Sequence, residues 1–204
     1  MTNAHVFVAI PSHDRVLTDF MLSLLALVIS NNQKIRMSIV NKQSCYVDYN
    51  RNQLVSAALK SPATHLLFID TDMIVPPDSL PRLINHNKDI VAATYVGRSE
   101  PHFPMGITYG DELTFPEVGG LTTGLRRMKR MPTGLMLVKM EVFRMIPPPW
   151  FQNRYNSLQI TGEDYSFCDD ANSNGFEVWC DQDLSKEVRH ICSTPLPTME
   201  MIRT

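Results

Sequence analysis

Apolar residues recur in short blocks along the first half of the chain, and the spacing inside each block sets its reading. His5 to Ile10 (HVFVAI) is mostly apolar and rich in β-formers, which predicts a strand that Pro11-Ser12-His13-Asp14 should break. Leu17 to Ile29 is apolar on most faces and predicts a buried helix. Ile35 to Val40 alternates, with Ile35, Met37 and Ile39 on one side, as a strand does. Asp48 to Leu59 is amphipathic at helical spacing, with Leu54, Val55, Ala58 and Leu59 on its apolar side. His65 to Ile69 reads as a second buried strand. Asp78 or Ser79 can cap a short helix reaching His86, and Ile90 to Ala93 supplies a fourth strand. This alternation of strands and helices predicts an α/β fold: an open, mostly parallel twisted sheet with helices on both faces.

The second half is less regular. Glu100 to Arg130 holds Gly106, Gly110, Gly119, Gly120 and Gly124 among turn signals. Leu135 to Val138 predicts a short strand and Glu141 to Met145 a turn of helix, which Pro147-Pro148-Pro149 ends. Thr161 to Asn174 predicts a helix and Phe176 to Trp179 a strand, and Pro195 and Pro197 suggest an extended tail on the surface. With no internal repeat and no clear linker, the 204 residues are expected to form one domain.

Composition narrows the function. Hydrophobic residues make up 44% and charged residues 20%, as in ordinary globular proteins. The formal net charge of −2 argues against a sequence-independent nucleic-acid binder, which is usually strongly basic. No apolar run reaches 18 residues, so no membrane span is expected. The N-terminus lacks a signal-peptide pattern, and Cys45, Cys168, Cys180 and Cys192 form no C-x-x-C pair. Reduced thiols and a cytoplasmic location are the expectation.

Candidate chemistry centres on LLFIDTDM, residues 66–73, where an apolar strand runs straight into Asp70 and Asp72. Residues i and i+2 of an extended chain share a face, so the two carboxylates should converge if the chain stays extended past Ile69. The C-terminal edge of an open α/β sheet is where ligands bind. Two adjacent carboxylates repel unless a proton or cation separates them, and Mg²⁺ or Mn²⁺ would serve while keeping positions for phosphate oxygens. A polar turn ending the strand is the plainer alternative.

The surrounding segments read YNRNQLVSAAL, THLLFIDTDMIVPPDSLPRLINHNKDIVAATY, PTGLMLVKMEVF, PPPWF, TGEDYSFCDDANSNGFEVWCD and VRHI. In this order they resemble glycosyltransferases of the GT-A fold, in particular small family-2-like enzymes of bacterial and viral type, from Val6 to about His190. The resemblance implies that residues 1–98 form a nucleotide-binding half and 99–204 an acceptor and metal-completing half. It implies a donor sugar linked to UDP or GDP, a glycan or other hydroxyl acceptor, and Mn²⁺ or Mg²⁺. Asp70 and Asp72, with Thr71 between them, would bind the metal and the donor's diphosphate. Pro11 and Ser12 would border the base and ribose, and Arg51 would lie near the nucleotide or brace the Asp70–Asp72 loop. Gly134 would let backbone approach the donor sugar or acceptor. Glu163 and Asp164 match the acidic pair that includes the base of inverting members, and His190 matches a C-terminal metal ligand.

Each position has a structural reading as well. Arg51 could pair with Asp48, Gly134 could be a turn glycine, Thr161-x-x-Asp164 could be a capping box, and His190 an ordinary half-buried histidine. Trp150-Phe151 could be core or a stacking platform for a sugar ring. Arg126, Arg127, Lys129 and Arg130 read best as a solvated face, with an anionic-acceptor site or a closing loop as the sharper reading. Three other activities compete. A nucleotidyltransferase acting on a sugar phosphate would want a glycine-rich loop where AIPSHDR stands. A phosphohydrolase would want D-x-D-G-T after an early strand. A catalytically inactive sugar-nucleotide-binding module would not need the acidic pair and histidine.

Overall fold

The computed structural model describes residues 4–98, 104–109, 123–156 and 159–191. The tail with Pro195 and Pro197, Cys192, and Gly110, Gly119 and Gly120 of the glycine-rich stretch lie outside the described residues. The first half carries β1 (His5–Ser12), α1 (Thr18–Asn31), β2 (Arg36–Gln43), α2 (Val47–Leu59), β3 (His65–Ile69), β4 (Met73–Ile74), α3 (Ser79–Asn85) and β5 (Ile90–Ala92). The second carries β6 (Leu125–Met128), β7 (Leu135–Lys139), α4 (Met140–Met145), β8 (Arg154–Asn156), β9 (Gln159–Thr161), α5 (Glu163–Ser173), β10 (Val178–Asp181), α6 (Gln182–Ser185) and β11 (Arg189–His190).

Seven strands form one sheet in the order β2-β1-β3-β7-β5-β10-β6. Strands β1, β2, β3, β5 and β10 run one way, and β6 and β7 run antiparallel to their neighbours. The architecture is therefore α/β and Rossmann-like, a mostly parallel sheet in one domain. Strand β7, from the second half of the chain, lies between β3 and β5, so the two halves share the sheet.

Helices cover both faces, and the strands alternate between two cores accordingly. Val6, Val8, Ile10, Leu67 and Ile69 pack with Phe20, Leu24 and Leu27 of α1 and Leu80 and Leu83 of α3. Phe7, Ala9, Leu66 and Phe68 pack with Leu54, Val55 and Ala58 of α2, Phe143 of α4 and Phe167 of α5. A strand buried on both faces has no polar side to show, which is why LLFI is apolar without interruption.

Two expectations need correction. Strand β1 does not break at Pro11, because Pro11 and Ser12 continue the parallel ladder opposite Lys42 and Gln43 of β2. Pairing with β3 stops at Ala9, so β1 is an edge from there on, where a missing N–H is tolerated. Helix α1 is not buried all round: Leu22 is 60% and Ile29 71% exposed, because only one side of the helix meets the sheet. No helix among the described residues is long and apolar enough to cross a membrane.

Candidate active site

The chain turns where β3 ends. The Met73 N–H donates to the Asp70 carbonyl at 3.1 Å, and the next residues enter β4, which pairs antiparallel with β11. Asp70 and Asp72 therefore do not converge by strand alternation, as the sequence had suggested. The turn needed to reach β4 sends each carboxylate to its own partners.

Asp70 goes inward to Arg51. Both of its carboxylate oxygens accept from Arg51 Nη2, at 3.0 and 3.1 Å, while Arg51 Nε donates to Glu163 at 3.3 Å. Helix α2 delivers the guanidinium from one side and the start of α5 delivers Glu163 from another. The Arg51 side chain is only 4% exposed and lies over the Phe68 and Phe151 rings, at 5.4 and 6.0 Å from their centroids. A cation held this far from water needs its anions, and Asp70 and Glu163 favour its charged form against the cost of burial. Arg51 bonds Asp70 and Glu163, and not Asp48. Its Nη1 is buried with no hydrogen-bond partner among the described residues.

Asp164 follows in the first turn of α5. The capping box does not form: Gly162 is the N-cap and no side chain caps it. Asp164 Oδ1 instead accepts from the Tyr165 N–H at 2.7 Å. Burial, then the neighbouring Glu163, push the Asp164 carboxyl up to about 6, against the opposing pull of Arg51. With Asp70 and Glu163 bonded to the one guanidinium, Asp164 is the carboxylate left without a cation of its own.

Asp72, in the same cleft as Asp70, lies beside His190. Its Oδ2 lies 3.3 Å from His190 Nε2, and His190 Nδ1 donates to the Val96 carbonyl at 3.0 Å. That second bond fixes the tautomer, leaving the Nε2 lone pair toward Asp72, the arrangement of a metal-ligating histidine. Burial lowers the His190 pKa, which favours the neutral ring. Arg98 closes the pair: its Nη2 bonds Asp72 Oδ2 and its Nε lies 3.3 Å from His190 Nε2. No three acidic, histidine or cysteine side chains among the described residues stand together at metal-holding spacing. Two donors, Asp72 and His190, do fit a hard divalent ion that keeps waters and takes phosphate oxygens for the rest of its shell.

Gly134 and Tyr95 join the two clusters. A Cβ at Gly134 would meet the Tyr95 ring at 2.6 Å, so its missing side chain admits Tyr95 rather than a substrate. The Gly134 carbonyl accepts from the Asp70 N–H at 3.1 Å, and the Tyr95 ring sits edge-on to His190 at 5.0 Å. Tyr95 and Arg98 were not singled out from sequence. Their signal was position, just past the C-terminal end of the strand at residues 90–93, on the edge that carries Asp70. Gly134→Ala is expected to displace Tyr95 and cost about 1–3 kcal/mol, read from the melting temperature of the purified variant.

Pro11, Ser12, Asp70, Thr71 and Asp72 line a cleft of about 190 Å³ together with Cys45 and Asn50. Asn50 shapes its wall by donating to the Ser12 and Ser44 carbonyls, at 3.0 and 3.1 Å. A separate cavity of about 310 Å³ between Asn31 and Ile84 is larger but holds no acidic or histidine side chain. Trp150 and Phe151 are core residues, 8% and 1% exposed, and Phe151 stacks on Phe167, so neither is a platform for a sugar. Within the basic cluster Arg127 pairs with Glu177 and Arg130 with Asp169.

Fold and site together define a Rossmann-like α/β protein whose acidic cluster lies at the carboxyl edge of its sheet. No protein-family model and no curated protein matches the chain. Among solved structures it is similar to A197 from STIV, known from a crystal structure, at 15% identity and a TM-score of 0.56 over 95% of this chain and 97% of that one. At that identity the likeness is one of fold.

Proposed function

We propose that this protein is a metal-dependent glycosyltransferase of GT-A type, moving a sugar from a UDP- or GDP-linked donor to a hydroxyl of a glycan or similar acceptor. The observation that carries the reading is the meeting, at one sheet edge, of segments far apart in sequence: Asp70 with Arg51 and Glu163, and Asp72 with His190. A turn that merely ended a strand would not need a buried guanidinium on one carboxylate and a tautomer-fixed imidazole on the other.

In this reading residues 1–98 hold the nucleotide, against Pro11, Ser12 and Thr71, and the segment 99–204 supplies the acceptor side. Asp72 and His190 would hold Mn²⁺ or Mg²⁺, which when bound neutralises charge on the departing diphosphate. Asp70 shares the cleft but gives its oxygens to Arg51, so it shapes the site more than it ligates. Asp164 takes the proton from the acceptor hydroxyl. The acceptor oxygen then bonds to the anomeric carbon as the bond from that carbon to the diphosphate oxygen breaks, and the configuration inverts. Glu163 keeps Arg51 in place and is not free to act as the base.

Cys45 gives a direct test, because it is exposed and lines the cleft, whereas Cys168 and Cys180 are buried. Saturating UDP or GDP with Mn²⁺ is expected to slow alkylation of Cys45, mapped by peptide mass spectrometry. An alkylation rate indifferent to both nucleotides would remove the nucleotide from this cleft. Turnover of a panel of sugar nucleotides then separates transfer from binding alone.

A further inference from the structure

We propose that Arg98 is a resident cation of this site, which holds Asp72 and His190 together until a divalent ion arriving with a nucleoside diphosphate replaces it, and which then pairs with the diphosphate. The inference rests on the reading of Asp72 and His190 as the ion-holding pair.

Competition follows from atom counts. With Nδ1 committed to the Val96 carbonyl, His190 has only Nε2 left to offer a ligand. Arg98 Nε already faces that nitrogen at 3.3 Å, and Arg98 Nη2 already bonds Asp72 Oδ2. A metal ion on Nε2 would need the one ring position that Arg98 Nε faces, and would bring two positive charges against a guanidinium. The two cations therefore exclude each other.

The two arginines of the site differ in how easily they leave. Arg51 is 4% exposed and sandwiched between ring faces and two carboxylates, so it is fixed. The Arg98 side chain is 56% exposed, above an Asp72 that is 24% and a His190 that is 14% exposed. It can swing outward without unpacking the core. Displaced into the mouth of the cleft, it is placed for a diphosphate, which guanidinium binds through paired N–H donors. Ion entry and donor capture would thus be coupled: the free protein resists the metal, and the nucleotide removes the resistance.

The experiment is Mn²⁺ binding followed by electron paramagnetic resonance, with no nucleotide and with UDP or GDP, on the parent, Arg98→Ala and Arg98→Lys. Circular dichroism melts confirm that each variant is folded. Without nucleotide, Arg98→Ala is expected to bind Mn²⁺ more tightly than the parent, by a factor in the usual range for coupled sites of about 5–150. Arg98→Lys should fall between them, since a single ammonium cannot engage both acceptors as the guanidinium does. The nucleotide should tighten Mn²⁺ binding strongly in the parent and much less in Arg98→Ala. Equal Mn²⁺ affinity of parent and Arg98→Ala without nucleotide, with both binding the Mn²⁺–nucleotide complex, would overturn the role of Arg98 and leave the metal reading standing. Failure of every variant to bind Mn²⁺ even with nucleotide would overturn both.

Discussion

Asp164→Asn is expected to lose about 10²–10⁴ in kcat while binding of the donor nucleotide stays near that of the parent. Asp164 is the group without a cation of its own, and its pKa of about 6 makes it a stronger base than an ordinary aspartate while leaving it ionised at pH 7. The rate in the parent should accordingly rise with pH and level off above about 6. The same variant should be more stable than the parent at neutral pH. A carboxyl raised from 3.8 to about 6 by folding binds more protons in the native state, so stability falls as pH rises through that window and the loss is complete above it. Two pKa units correspond to roughly 3 kcal/mol, the most that the amide could recover. Activity lost with a melting temperature raised is a combination that a capping or packing role cannot give, since removal of a cap costs about 1 kcal/mol. Measured retention of the anomeric configuration would remove the need for this base, whatever the variant shows.

Arg51→Met should destabilise the protein by about 3–5 kcal/mol in urea unfolding at pH 7. The substitution leaves Asp70 and Glu163 facing each other and Asp164 with no guanidinium between them. Asp164 loses the guanidinium that opposes its rise, so the deficit is greatest at neutral pH and shrinks in acid as its carboxyl takes up a proton. Adding Glu163→Gln to Arg51→Met should return part of the loss, because the two positions share one interaction and their effects do not add. A deficit indifferent to pH would show that Arg51 matters for its stem packed on Phe68 and Phe151 rather than for its charge. Glu163→Gln alone should lose less activity than Asp164→Asn, since it loosens Arg51 without removing the base.

The sequence by itself determined the layers of this protein. The apolar run ending at Ile69, the helical spacing of Leu54, Val55 and Ala58, and the run at residues 90–93 each record burial against neighbours, and burial is written in the local pattern. The same pattern placed Asp70 and Asp72 among the candidates, and the resemblance of the surrounding segments added Arg51, Glu163, Asp164 and His190. Tertiary structure decided which of them meet. Insertion of β7 between β3 and β5 and the β4–β11 pairing that forces a turn after Ile69 depend on hydrogen bonds between residues distant in sequence, which no local period encodes. That turn is why Asp70 and Asp72 take different partners although they share one cleft. Gly134 read as room for a ligand, but the room is taken by Tyr95, and Trp150 and Phe151 read as possible platforms but are buried by α4 and α5. A side chain's type fixes what chemistry it can do. The fold fixes how much water it keeps and which charge it faces, and those two quantities set Asp164, raised by burial, apart from Glu163, bonded to Arg51.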